Sequence, residues 1–470
     1  MRYVSTRGEA PPLNFIDCLL AGLAHDGGLY VPETWPVLEQ AEIAALAGKR
    51  FDEVAFDLIR RFTGGTIPDV ELAAMTKAAY ASFGHEAVTP LVQTDANTFV
   101  LELFHGPTLA FKDVAMQLLA RLMDYALSQR GERATIVGAT SGDTGGAAIE
   151  AFRSSKRVDV VILFPDGRVS DVQRRMMTTP TEPNVHALAI EGTFDDCQAL
   201  VKGMFNHHAF RDRVRLSGVN SINWARILAQ VTYYFVAATR LGAPYRPVSF
   251  TVPTGNFGDI FAGYVAKRLG LPIEQLIIGT NINDILTRTL ATGSYDVTGV
   301  VATTSPSMDI QVSSNFERLL FEAGGRDSAS VRGMMASLGQ SGSFRVPDQT
   351  LAAIRRDFGA ARADEAEVAA TIREVEARSG YLLDTHTSVA MAASRKVRVK
   401  TETPMVVLST AHPAKFPDAM EAITGRRPGL PSRLSNLMSD AERIDHAPND
   451  LAAVERYVVE HARAVNGMAA

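Results

Sequence analysis

The segment Glu102-Leu-Phe-His105-Gly106-Pro107-Thr108-Leu-Ala-Phe-Lys112-Asp113 delivers one lysine to the first turn of an expected helix, behind a Gly-Pro loop. Val114, Leu118, Leu119 and Leu122 recur at roughly helical spacing, and no proline interrupts Leu109 to Tyr125. The positive end of that helix, with burial by Leu109 and Phe111, disfavours an ammonium at Lys112 and favours the neutral amine that attacks an aldehyde. Schiff-base chemistry needs that amine. A solvated lysine near a helix end is the plain alternative, so the other loops have to decide.

Three further loops follow expected strands. Ala134 to Ala139 runs into Thr140-Ser141-Gly142-Asp143-Thr144-Gly145-Gly146 and then an expected helix from Ala147. Its amides suit an anion, and the hydroxyls of Thr140, Ser141 and Thr144 suit a substrate carboxylate or a ring oxygen. Val248 to Val252 runs into Pro253-Thr254-Gly255-Asn256-Phe257-Gly258-Asp259, with a helix expected over Ile260 to Leu269. Two glycines there let successive amides converge at a helix start, as a phosphate monoester requires. For both loops a mere strand-to-helix turn is the other reading. The last, Ser409-Thr410-Ala411-His412-Pro413-Ala414-Lys415-Phe416, places a hydroxyl at Thr410 that can bond a heteroaromatic nitrogen without protonating it. His412 reads as structural. One lysine, one phosphate nest and one hydroxyl together fit pyridoxal phosphate. The glycine spacings match neither GxGxxG nor GxxxxGK[ST], which argues against a general nucleotide-binding module.

The elements that must position these loops read as α/β. With 470 residues, 46% hydrophobic and 21% charged, the chain is long enough for two or three domains with large cores. Residues 1–97 are expected to form a mostly helical amino-terminal domain, with a helix around Asn14 to Ala24. Residues 98–470 are expected to form a core of two α/β subdomains, with parallel-type sheets flanked by helices and the cofactor between them. Ser294 to Ser307 is expected to be a mobile loop and Ala360 to Ala377 a charged, exposed helix.

Charge and cysteines narrow the partners. There are 47 Lys and Arg against 52 Asp and Glu, a net charge of -5, and no basic run, so nucleic acid is not expected. Cys18 and Cys197 are too few for a disulfide framework and lie in no metal-ligand cluster, so no metal is expected and both are read as reduced. No segment approaches the roughly 20 apolar residues of a membrane span, and the amino terminus has no apolar h-region. A cytoplasmic protein with a small-molecule substrate, monomer or homodimer, is the expectation.

Seven pieces in one order carry a resemblance to a known family: Arg7-Gly8, Asp26-Gly-Gly-Leu-Tyr-Val-Pro32, His105 to Asp113, Ser141-Gly-Asp-Thr-Gly145, Asn220-Ser-Ile-Asn-Trp-Ala-Arg226, Gly255-Asn-Phe-Gly258 and Thr410 to Phe416. Over nearly its whole length the chain resembles the threonine synthases, pyridoxal-phosphate enzymes of fold type II, and within them the longer bacterial and fungal branch. The resemblance implies that Lys112 carries the cofactor as a Schiff base and serves as the catalytic proton carrier. It further implies that Gly255, Asn256, Phe257 and Gly258 cradle the cofactor phosphate, that Asp143 lies near the ring oxygen, and that Thr410 faces the pyridine nitrogen. The implied substrate is O-phospho-L-homoserine and the implied product L-threonine. Its phosphate needs a second, cationic pocket. Ser221, Asn223 and Arg226 are the candidates, with Lys415, Arg168 and His386 behind them, and for Arg226 a surface ion pair is the alternative. Two other functions stay open on these residues: a lyase that eliminates phosphate and yields a keto acid, and a catalytically silent binding protein.

Overall fold

The computed structural model describes residues 1–466. Two sheets organise the α/β part. In the larger, the strands run in the order Phe358–Arg362, Ile273–Thr280, Val248–Pro253, Met405–Ser409, Thr98–Glu102 and Leu91–Asp95. The first five are mutually parallel and the sixth is antiparallel. The smaller is parallel throughout, in the order Asp445–Ala447, Val185–Ile190, Val158–Pro165, Ala134–Ala139 and Leu216–Ser217. Every residue of Val158–Pro165 is buried, as expected of a parallel strand covered by helices on both faces.

The helix Lys112–Arg130 is central because its apolar residues go nearly all the way round, and Val114, Met116, Leu118, Leu119, Leu122 and Met123 are all buried. Each such side chain stabilises the fold by about 2 kcal/mol relative to exposure. Gly131, at φ 65°, ends the helix in the left-handed region that glycine adopts without strain.

The amino-terminal region is helical as expected, with Phe15–Ala21, Gln40–Ala44, Phe51–Thr63 and Asp69–Tyr80. It has no separate core. Trp224 sits about equally close to Tyr3, Trp35 and Phe62, with ring centroids 6.0 Å apart in each case. The buried Arg318 guanidinium lies 5.8 Å from the Trp224 ring and donates from Nε to the Tyr30 carbonyl at 3.0 Å. The boundary drawn at residue 97 also cuts a pair of strands, since Leu91–Asp95 hydrogen-bonds to Thr98–Glu102.

Three local expectations shift. The helix after the Thr140 loop begins at Asp143, four residues earlier than expected, so Asp143 to Gly146 form its first turn. Residues 360–362 belong to the strand Phe358–Arg362, and the charged helix runs over Glu365–Ser379. The Ser294 to Ser307 segment is tied down: Ser294–Asp296 pairs with Ser343–Arg345. Farther along it, Asn281, Thr303, Ser305 and Asp309 share one hydrogen-bonded cluster.

Candidate active site

Three neighbouring parallel strands, Val248–Pro253, Met405–Ser409 and Thr98–Glu102, end on the same side of the larger sheet. Their carboxyl ends therefore bring the glycine loop, Thr410 and the Lys112 segment together. Backbone bonds lock the last two: Leu103 N–H donates to Ser409 O at 3.0 Å, Phe111 N–H to Thr410 O at 2.8 Å and His412 N–H to Leu109 O at 3.0 Å. Leu109 is held at φ 58°, a strained value for a residue with a branched side chain. The buried Asp113 carboxylate accepts from Thr108 N–H and Thr108 Oγ1, both at 2.7 Å. A Cβ on Gly106 would fall 2.5 Å from Asp113 Oδ2, so this turn admits only glycine.

Lys112 is buried, with Nζ 3.2 Å from Asp143 Oδ2 and 5.1 Å from the Phe111 ring centroid. Burial draws its ammonium below the ordinary lysine value; Asp143 opposes this, while Lys415 and Arg226 reinforce it. Asp143 carries the densest contacts. Oδ1 lies 2.7 Å from Lys415 Nζ and accepts from Gln173 Nε2 at 2.8 Å, and Oδ2 faces Lys112 and Ser307 Oγ, the latter at 3.4 Å. Burial alone would raise the Asp143 carboxyl, but the two ammonium groups hold it well below the usual carboxylate range.

The glycine loop is built from backbone. Ser313 Oγ donates to Gly255 O at 2.6 Å, and Asn315 donates to Asn256 O from N–H at 3.1 Å and from Nδ2 at 2.9 Å. Because N–H and C=O of one peptide point opposite ways, tying these carbonyls turns the amides of Asn256 and Phe257 the other way. Phe257 at φ 64° leads directly into the helix Gly258–Arg268, whose first-turn amides have no intrahelical partners. A Cβ on Gly255 would come within 2.7 Å of Ser307 O, so the wall of this cradle stands where any other residue would project. Thr410 is buried, and among the described residues its hydroxyl has no protein partner. Together these features fit pyridoxal phosphate: a buried amine for the aldehyde, an amide cradle at a helix start for the phosphate, and a free hydroxyl for the ring nitrogen.

The remaining candidates separate by what their side chains already do. Arg226 is buried, with no carboxylate within ion-pair distance among the described residues, which removes the surface ion pair as its explanation. Its Nη1 donates to Val219 O at 3.0 Å, its Nε is unpartnered, and burial lowers it to about 10. An unneutralised buried guanidinium calls for an anion. Asn223 is committed to capping its helix, accepting from Ala225 N–H at 3.0 Å and donating to Leu19 O at 2.9 Å. Ser221 contributes its carbonyl to Asn315 Nδ2 at 3.2 Å. Thr140 Oγ1 organises its own loop, accepting from Gly142 N–H at 2.9 Å and Gly145 N–H at 3.0 Å, while Ser141 and Thr144 are partly exposed beside it. His386 Nε2 accepts from Ser307 N–H at 3.3 Å and Nδ1 lies 3.0 Å from Asp384 Oδ2, an arrangement in which Nδ1 carries the hydrogen. Arg168 is exposed in the turn after Val158–Pro165, outside this buried group. His412 caps the turn after Thr410, accepting from Ala414 N–H at 3.1 Å, and burial pulls it down to about 4.

Gln173 and Ser307 were not anticipated as neighbours of Asp143, nor was Asp259 as part of the cradle. Asp259, in the first turn after Gly258, accepts at Oδ1 from the hydroxyls of Tyr233 and Tyr234. Its buried Oδ2 has no partner, and burial raises the carboxyl to about 7. Its place after Gly255-Asn-Phe-Gly258 was the available signal.

A buried lysine, an amide cradle and parallel sheets define a pyridoxal-phosphate enzyme of fold type II, and the family model described as "Pyridoxal-phosphate dependent enzyme" matches residues 82–411. Those described as "Threonine synthase N terminus" and "Threonine synthase, C-terminal" match residues 2–80 and 387–458. The chain belongs to the threonine synthase family. It is 52% identical to the threonine synthase of Pseudomonas aeruginosa, over 98% of each chain. The crystal structure of a threonine synthase from Brucella melitensis with pyridoxal phosphate bound superposes with a TM-score of 0.97 at 63% identity, covering 98% of this chain and 100% of that one. The yeast threonine synthase structure superposes at 0.93 with 39% identity, over 98% of each.

Proposed function

We propose that this chain is a threonine synthase: it converts O-phospho-L-homoserine and water to L-threonine and phosphate. The observation that carries this reading is the pairing of two separate anion sites around Lys112, the amide cradle at Gly255 to Gly258 for the cofactor and the unneutralised guanidinium of Arg226 for the substrate phosphate.

When bound, pyridoxal phosphate supplies the electron sink that allows hydrogens at Cα and then Cβ to ionise. The residues supply the rest. Lys112 Nζ, kept low in proton affinity by burial, takes protons from Cα and then Cβ, delivers one to Cγ as phosphate departs, and returns one to Cα at the end. The Cγ–O bond breaks and phosphate leaves toward Arg226, while the oxygen of one water joins Cβ. Thr410, a hydroxyl and not a carboxylate, leaves the ring nitrogen largely unprotonated, which favours elimination and replacement over transamination. Asp143 orients Lys112 and the ring oxygen side of the site. Thr140, Ser141 and Thr144 lie where the substrate carboxylate is bound, with Ser221 and Asn223 shaping the approach to Arg226. The active chain is a cytoplasmic monomer or homodimer that takes no nucleic acid partner, in keeping with its buried free Cys18 and Cys197 and its net charge of -5. Among the described residues no helix is long and apolar enough to cross a membrane.

Turnover in heavy-oxygen water tests the bond that breaks. The label is expected in the threonine hydroxyl and absent from phosphate. Label in phosphate identifies a phosphatase, and formation of 2-oxobutyrate identifies a lyase.

A further inference from the structure

Two lysines face one carboxylate at this site. Lys415 is the more enclosed, only 1% exposed, and its Nζ bonds both Asp143 Oδ1 at 2.7 Å and Thr108 O at 2.8 Å. Lys112 reaches Asp143 Oδ2 at the longer distance of 3.2 Å, with no second protein acceptor among the described residues. A buried carboxylate needs a cation. If Lys112 filled that need it would be held as an ammonium, unfit to attack or to take a proton. The shorter ion pair and the extra carbonyl assign the standing charge to Lys415.

We propose that Lys415 is a positioning residue that neutralises Asp143 and thereby keeps Lys112 free to lose its proton; the inference rests on Lys112 being the cofactor lysine. The groups facing Lys112 divide by charge. Asp143 from the helix Asp143–Phe152 favours a proton on it, as does Asp259 from Gly258–Arg268 once ionised above about pH 7, while Lys415 and the buried Arg226 oppose one. Lys415 also acts on the buried Asp113, whose carboxyl is raised to about 6 by burial and lowered in part by Thr108 and Lys415. Lys415 thus ties the turn that presents Lys112, through Thr108 and Asp113, to the carboxylate opposite it. This use of its ammonium replaces the role of a substrate-phosphate ligand considered from sequence.

The test is a pH titration of the visible absorbance of the lysine-bound cofactor in the full-length, cofactor-loaded protein, comparing the parent with Lys415→Gln and Lys415→Arg. Loss of the charge in Lys415→Gln leaves Asp143 uncompensated, so the midpoint is expected to rise by about one pH unit or more. Lys415→Arg, which restores a cation, is expected to titrate within a few tenths of a unit of the parent. A Lys415→Gln midpoint equal to the parent's overturns the proposal. Should Lys415→Gln not fold, an upward shift in Lys415→Arg overturns it equally, because the charge would then not be what matters. Borohydride reduction and peptide mapping keep the two levels apart: cofactor fixed to a lysine other than Lys112 defeats the reading of the site itself.

Discussion

The two strand-to-helix loops that meet at Lys112 solve the problem of holding charge in opposite ways. The loop after Val248–Pro253 uses peptide groups, with carbonyls of Gly255 and Asn256 tied back and amides turned inward. The loop after Ala134–Ala139 uses side chains, with Asp143 between Lys112, Lys415, Gln173 and Ser307. A backbone cradle offers fixed partial charges that no pH change removes, which suits a permanent cofactor phosphate. A side-chain cluster can exchange protons, which suits the face where the chemistry occurs. The first is sensitive to added volume, the second to a changed charge.

Substitutions can break that contrast from either side. Gly255→Val should have the largest effect on cofactor binding, because even its Cβ falls within 2.7 Å of Ser307 O. Cofactor affinity measured by equilibrium dialysis should fall by more than about tenfold, the equivalent of 1.4 kcal/mol, with Lys112 untouched. Asp143→Asn leaves volume unchanged and removes the anion. The absorbance midpoint of the bound cofactor should then drop by about one pH unit, the reverse of the Lys415→Gln shift, while cofactor affinity changes less than in Gly255→Val.

Asp259→Asn sharpens the comparison inside the cradle. Burial raises this carboxyl from 3.8 to about 7, so the folded state holds a proton that the unfolded chain releases. The stability it contributes is complete below about pH 4 and is lost as pH rises through 7. An amide loses nothing over that range. Chemical denaturation should therefore show the variant gaining on the parent between pH 4 and pH 8, by up to about 4 kcal/mol. Asn256→Ala should do least: its side chain is exposed and its backbone serves the cradle, so stability should move by less than about 0.5 kcal/mol.

The same contrast explains what could be read from sequence. Backbone sites announce themselves locally, because glycines and a helix start must be adjacent in the chain, and Gly255 to Gly258 were legible for that reason. Lys112 was legible from the Gly-Pro turn and the helical spacing behind it. The alternation of short apolar strands with helices gave the parallel sheets. The side-chain cluster was only half visible. Asp143 stood out beside glycines, but Gln173, Ser307 and Lys415 reach it from three distant segments that only the fold brings together. Lys415 stood among the secondary candidates for the substrate phosphate, because nothing in its own segment shows that Asp143 lies beside it. The boundary at residue 97 falls between two paired strands for a similar reason: pairing of Leu91–Asp95 with its neighbour depends on sheet registry and leaves little mark in composition.

The most direct measurement is simultaneous assay of phosphate and amino acids after adding O-phospho-L-homoserine to the purified, cofactor-loaded protein, beside Lys112→Ala. Equal amounts of phosphate and threonine are expected from the parent, with turnover reduced at least about a thousandfold in the variant. Phosphate accompanied by 2-oxobutyrate, no phosphate at all, or undiminished turnover in Lys112→Ala would contradict the assignment of this site and of its lysine.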